Sequence, residues 1–218
     1  MDKIIILSAA VPLLAGLLMS EKKESLKGIL LTKPFLSGLF IVMAVIQTGL
    51  NSSYYNSILA GLVFCFIGDI CLAFFFNRKV FTAGLAFFLT GHLFYVVAFF
   101  SMSGVTRGTW VSVAATGAVS ITVFLWLKSR LDSMLVPVIA YILIISMMVI
   151  GAGSLAWKTD FDLYGRLMVL VGALIFYCSD LFVARHRFVE KNIINRFIGL
   201  PMYYTAQFTL AFSVGIIG

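Results

Sequence analysis

Long apolar runs separated by short polar stretches organise this chain. A helix needs roughly 20 apolar residues to cross the hydrocarbon of a bilayer. Eight runs approach or reach that length, at about 4–19, 34–50, 57–76, 80–100, 109–127, 134–151, 164–184 and 198–217. The runs are continuous, whereas the strands of a membrane barrel alternate between apolar and polar positions. The pattern therefore predicts an all-α, polytopic membrane protein with eight transmembrane helices in a single helical domain, residues 1–218. The first run follows Lys3 and has the look of a signal-peptide core. No small-residue cleavage site follows it and seven further runs do, so it is read as a helix.

Composition agrees with this reading. Hydrophobic residues make up 61% of the chain and charged residues 11%, against about 25% charged in soluble domains. A soluble fold of this length could not cover so much apolar surface. The three cysteines, Cys65, Cys71 and Cys178, all fall inside apolar runs and read as packing thiols. The net charge of +7 is scattered between spans, which points to a membrane surface and away from nucleic acid.

The basic residues also predict an orientation. One set of alternate loops carries twelve: Lys22, Lys23, Lys27, Lys33, Arg78, Lys79, Lys128, Arg130, Arg185, Arg187, Lys191 and Arg196. The opposite set carries four: Lys3, Arg107, Lys158 and Arg166. The positive-inside rule places the twelve in the cytoplasm and both termini on the non-cytoplasmic side. The compact length, with no targeting extension, points to a bacterial inner (cell) membrane. A weak internal echo accompanies this pattern. Pro34 opens the second span as Pro137 opens the sixth, and Gly68-Asp69 in the third matches Ser179-Asp180 in the seventh. Two four-helix halves in parallel would produce it.

Candidate chemistry lies with the acids. Of nine acidic residues, only Asp69 and Asp180 lie inside spans. A charged Asp at the centre of a helix costs about 2.5–3.5 kcal/mol on insertion scales, and a group that keeps its proton avoids that cost. With a rise of 1.5 Å per residue, Asp69 lies about 10 Å and Asp180 about 6 Å below the cytoplasmic ends of their spans. Other polar side chains gather at this end. Tyr203 and Gln207 are four apart on one helix face, and Tyr177 and Asp180 three apart on another. Tyr141 lies within two turns of the start of its span, His92 lies nearer mid-span, and Lys33 stands at the mouth of the second span. Each has an ordinary reading as an interhelical hydrogen-bonder or a snorkelling cation.

Two carboxyls facing one cavity can divide roles, one as a neutral acid and the other as a base or a stabiliser of positive charge, as in glycoside hydrolysis. Their depth matches the glycerol backbone of a phospholipid, and the basic rim matches its phosphate. No metal-ligand cluster, P-loop or nucleophile motif competes, so no cofactor or metal is expected. These residues alone leave two readings open, acid-catalysed lipid chemistry and proton-coupled membrane transport. A purely structural role for both acids is the third.

Five stretches carry a resemblance: Lys33-Pro34, GDICL (68–72), GLAFFLTGHLFY (84–95), SDLFVARHRF (179–188) and YYTAQ (203–207). In this order, over nearly the whole chain, they resemble the YhhN family of integral-membrane lysoplasmalogenases. The family's SD motif commonly ends in Asn-Arg-Phe, and here His186 replaces the Asn. The resemblance implies hydrolysis of the vinyl-ether bond of a lysoplasmalogen, a lysophospholipid drawn from the membrane lipids. The products would be a fatty aldehyde and glycerophosphoethanolamine or glycerophosphocholine. It also implies that Asp69 and Asp180 are catalytic. Lys33, Tyr203 and Gln207 are expected to hold the headgroup or tune the acids, with His92 bonded to one of them and Tyr141 and Tyr177 on the substrate wall. Depth alone favours the deeper Asp69 as proton donor and Asp180 as the base that guides water.

Overall fold

The structure, a computed structural model, describes residues 2–47, 52–74 and 77–217. The expected spans 34–50 and 57–76 each extend into residues outside that set, 48–50 and 75–76. The eight expected helices are present as α1 (Asp2–Lys22), α2 (Leu26–Val45), α3 (Ser53–Ala73), α4 (Arg78–Ser103), α5 (Arg107–Leu127), α6 (Leu135–Ala156), α7 (Leu163–Ala184) and α8 (Ile193–Ile217). All eight are long and apolar enough to cross a membrane, and the chain is a multi-pass membrane protein. Polar residues in the loops start several of them. Ser25, Ser52, Asn77 and Asp162 each accept a hydrogen bond from a free backbone N–H of the following first turn. A π-helical turn, Arg185–Val189, follows α7.

Six helices close into a ring. Around it, α2 packs on α3, α3 on α4, α4 on α6, α6 on α7, α7 on α8, and α8 back on α2. The remaining two lie outside, α1 against α2 and α8, and α5 against α6. Burial follows this plan: the apolar stretch of α8 is 61% buried, that of α1 17% and that of α5 11%. The outer helices turn side chains such as Val11, Trp110 and Ile121 outward, where lipid tails would cover them. The contacts of the first four helices recur in the last four. Contact between α4 and α6 becomes contact between α8 and α2 when the count advances by four helices. This is the architecture of a parallel repeat.

One sequence expectation needs correction. Pro34 does not open its helix: α2 begins at Leu26, and Pro34 lies inside it. Proline removes one backbone bond, and transmembrane helices absorb this because neighbouring groups satisfy the freed carbonyl. The extra two turns have a consequence for Lys33. It is not at a helix mouth but within the ring, only 4% exposed.

Glycines set the closest helix pair. On the facing sides of α3 and α4, Gly61 meets the Gly91 carbonyl and Gly68 meets the Gly84 carbonyl. Small residues let helices approach in this way, and the approach fixes the neighbours of Gly68 and Gly91, which are Asp69 and His92. A Cβ added at Gly68 would stand 2.6 Å from the Phe88 ring and 3.2 Å from the Gly84 oxygen. Gly68→Ala is therefore expected to cost about 1–3 kcal/mol, seen as a lower melting temperature in detergent. Gly38→Ala, with nothing within 4 Å of its new Cβ, is the control and should not melt earlier. Equal melting of both variants would contradict the close-packing account.

Candidate active site

Both intramembrane acids point into the ring. Asp69 lies on α3 four residues before its end at Ala73, and Asp180 lies on α7 four residues before its end at Ala184. Their α-helical depths are therefore equal, not about 4 Å different as the expected span ends implied. A single cavity reaches both, with Lys33, Tyr141, Tyr177 and Tyr203 also on its wall. The rest of the wall is mostly apolar, supplied by α4, α5, α6 and α7 through residues such as Phe88, Val123, Ile142 and Leu181.

Asp69 is surrounded by donors. Lys33 Nζ stands 3.0 Å from its Oδ1, and its Oδ2 accepts from Ser37 at 2.6 Å and Tyr203 at 2.7 Å. Lys33 and Ser37 are four apart on α2, so one helix face delivers both. The donors are themselves held in line. Gln207 accepts from Tyr95 at 2.7 Å and donates to the Tyr203 oxygen at 3.1 Å, leaving the Tyr203 hydrogen for Asp69. Tyr204 lies 3.1 Å from Ser37, whose hydrogen is committed to Asp69, so Tyr204 is the donor there. Phe88 and Phe176 pack edge-on to the Tyr203 ring at 5.8 and 5.4 Å. Lys33 and Asp69 are both almost fully buried, with side chains 5% and 2% exposed. Every bond Asp69 makes is one that a carboxylate accepts.

Asp180 has a different setting. It accepts one hydrogen bond, from Tyr141 at 2.6 Å, and its side chain is 17% exposed toward the cavity. His92 Nε2 lies 4.0 Å from its Oδ2. The tautomer of a neutral His92 follows from its other nitrogen. Nδ1 is 2.6 Å from the Phe88 carbonyl oxygen, which can only accept, so Nδ1 carries the hydrogen and Nε2 a lone pair. Nε2 is buried and has no hydrogen-bond partner among the described residues. Asp180 Oδ2 thus has a donor, Tyr141, and an acceptor without a partner, His92 Nε2, beside it, and among the described residues no Lys or Arg pairs with this acid.

The two acids occupy corresponding places in the two halves. Asp69 draws its partners from α2 and α8, and Asp180 draws its own from α6 and α4. The spacing from Asp69 to Asp180 equals that from His92 to Tyr203. The halves differ in chemistry, because α2 supplies an ammonium where α6 supplies a phenol.

The remaining expected site residues divide. Tyr141 and Tyr203 touch the acids and line the cavity. His92 and Gln207 stand behind that wall: Gln207 reaches Asp69 through Tyr203, whereas His92, expected to bond an acid, stops 4.0 Å from Asp180 without a hydrogen bond to it. Tyr177 lines the cavity, but its hydroxyl turns to Ser120 on α5 at 2.9 Å. Ser37, Tyr95 and Tyr204 are not among the expected site residues, although Tyr95 and Tyr204 lie in the stretches that carry the resemblance. Lys33 and Ser37 at helical spacing were the available signal for Ser37. Among the described residues, no His, Cys, Asp or Glu group could hold a metal ion.

Comparison with known proteins covers the same helices. The chain is 31% identical over 162 residues to "Lysoplasmalogenase TMEM86B" of Mus musculus, an alignment covering 72% of this chain. It covers 62% of that protein, so the chain spans less than two thirds of this relative's length. No solved structure matches. The YhhN family matches residues 28–214, which take in nearly all of α2–α8 and therefore the whole ring with both acids. The chain belongs to the YhhN family.

Proposed function

We propose that this protein is a lysoplasmalogenase, cleaving the vinyl-ether bond of a lysophospholipid by acid catalysis inside the membrane. The observation that carries the reading is the unequal pair of acids on one largely apolar cavity. One acid is compensated by a lysine and the other is not. The similarity to a lysoplasmalogenase supports the same reading.

In this reading Asp180 carries the proton, the reverse of the assignment that depth alone favoured. Among the described residues no Lys or Arg pairs with it to hold it as a carboxylate, whereas Asp69 has Lys33. Asp180 gives its proton to the β-carbon of the alkenyl group, and the electron pair of the double bond forms the new C–H bond. The α-carbon and its ether oxygen become an oxocarbenium ion. The carboxylate left on Asp180 stabilises that cation and then takes a proton from the attacking water. Water oxygen bonds to the α-carbon, and the hemiacetal collapses to an aldehyde and the glycerol hydroxyl. One water is consumed and the proton on Asp180 is restored. Tyr141 holds the Asp180 carboxyl in place through its hydrogen bond. The Lys33–Asp69 pair holds Tyr203 at the facing wall and adds no net charge. The basic end of the bundle, where both acids lie, is proposed to face the cytoplasm.

Isotopes test the chemistry. In D₂O the released aldehyde should carry one solvent deuterium at C2. In H₂¹⁸O the glycerophospho product should stay unlabelled, because its oxygen remains with glycerol. Label in the glycerol product would place the broken bond on the wrong side of the ether oxygen. Proton flux through liposomes without any aldehyde would favour a transporter instead.

A further inference from the structure

Beside the acids, Lys33 is taken by Asp69 and is not free for a phosphate. The charge a phosphate needs lies at the outer wall of the cavity, on Arg187 and Arg196. Toward the basic end a second, polar space of ≈ 620 Å³ opens between the α1–α2 connection and the π-helical turn after α7, against ≈ 120 Å³ for the apolar slot beside the acids. The two share a wall formed by Leu72, Phe81, Val183, Arg187 and Arg196. The larger space suits a hydrated headgroup, and the narrow apolar slot suits a chain.

Its charges are not all neutralised. Lys191 is bonded to Glu24 at 2.7 Å, and Lys191 with its charge holds the Glu24 carboxyl below its usual range. Arg187 has no carboxylate partner among the described residues, and its guanidinium lies over the Phe81 ring, 4.3 Å from the centroid. Stacking of this kind fixes a guanidinium plane and leaves its N–H edges free. Arg196 Nε approaches Glu21 at 3.6 Å, too far for a hydrogen bond, and it is buried with no hydrogen-bond partner among the described residues. Two guanidinium groups with unused donors therefore sit on the wall between slot and vestibule. A phosphodiester bound in bidentate fashion would satisfy both. Glu21, beside Arg196, is placed to take the positive end of a zwitterionic headgroup.

We propose that Arg187 and Arg196 form a phosphodiester subsite at the slot mouth, with Glu21 as partner to the headgroup amine. This proposal rests on the lipid-hydrolase reading and names the part of the substrate it recognises. A lysolipid held there by its phosphate would run its chain into the slot past Asp180. The π-helical turn, which places Arg187 on this wall, is of a kind frequent at functional sites.

Direct binding to the purified full-length chain tests the subsite apart from catalysis. The probes are 1-acyl-lysophosphatidylethanolamine, monoacylglycerol of the same chain length, and inorganic phosphate. Wild type should bind the lysolipid more tightly than the monoacylglycerol. Arg187→Gln and Arg196→Gln should each weaken lysolipid binding by about tenfold or more and leave monoacylglycerol binding unchanged. Arg187 is exposed, so its variant folds even if Arg196→Gln does not. Inorganic phosphate should displace the lysolipid only weakly. Strong displacement would assign the subsite to free phosphate and overturn the lipid source. Equal binding of lysolipid and monoacylglycerol, by a protein that releases aldehyde, would overturn the subsite and leave the hydrolase intact. Arginine-dependent lysolipid binding without aldehyde release would keep the subsite and overturn the hydrolase.

Discussion

Asp180→Asn should reduce fatty-aldehyde release by about 10²–10⁴-fold, the usual contribution of a general acid, with the protein still folded. The fold should survive because Asn keeps a carbonyl oxygen to accept from Tyr141, whose hydroxyl lies 2.6 Å from Asp180 Oδ2. Only the transferable proton is lost. The loss should appear in kcat, since the side chain is asked to act in the transition state and not to bind substrate. A variant that melts like wild type and turns over at a near-normal rate would remove Asp180 from the role of proton donor.

Lys33→Met should lower stability by about 3–5 kcal/mol, the range seen when one partner of a buried ion pair is removed. The pair is 3.0 Å apart and almost fully buried. Without the ammonium, Asp69 keeps only the hydroxyls of Ser37 and Tyr203 to offset its charge. Adding Asp69→Asn removes the stranded charge, so the double variant should recover most of the lost melting temperature. The measurement is thermal unfolding of the purified variants in one detergent. Unchanged melting of Lys33→Met would mean that Asp69 is protonated in the native protein. The assignment of roles would then revert to Asp69 as donor.

Much of this architecture can be read from the chain because hydrocarbon imposes simple rules. Long apolar runs separated by polar loops specify the eight helices. Asp69 and Asp180 stand out because charge inside a span is expensive, and so rare without a purpose. The sequence misplaces Lys33 because proline is common in first turns and Pro34 reads as a first-turn proline. In the folded chain its missing N–H falls inside the helix. Ser37 does not stand out because a serine in a transmembrane helix can bond its own backbone, and the roles of Tyr95 and Tyr204 depend on partners on other helices, which the chain order does not show. The ring itself was out of reach, since contact of α4 with α6, past α5, joins helices that are not sequence neighbours. For the same reason depth could not decide between the acids. What separates them is a lysine on α2 facing one and a tyrosine on α6 facing the other.

The most direct test is product analysis on purified wild-type protein given three lysophosphatidylethanolamines that differ only at the first chain bond: 1-alkenyl, 1-alkyl and 1-acyl. A cavity that works by protonating carbon to give an oxocarbenium ion should release fatty aldehyde from the 1-alkenyl lipid and leave the saturated 1-alkyl ether intact. Fatty acid from the 1-acyl lipid, with no aldehyde from the 1-alkenyl lipid, would contradict vinyl-ether hydrolysis as the function of this site.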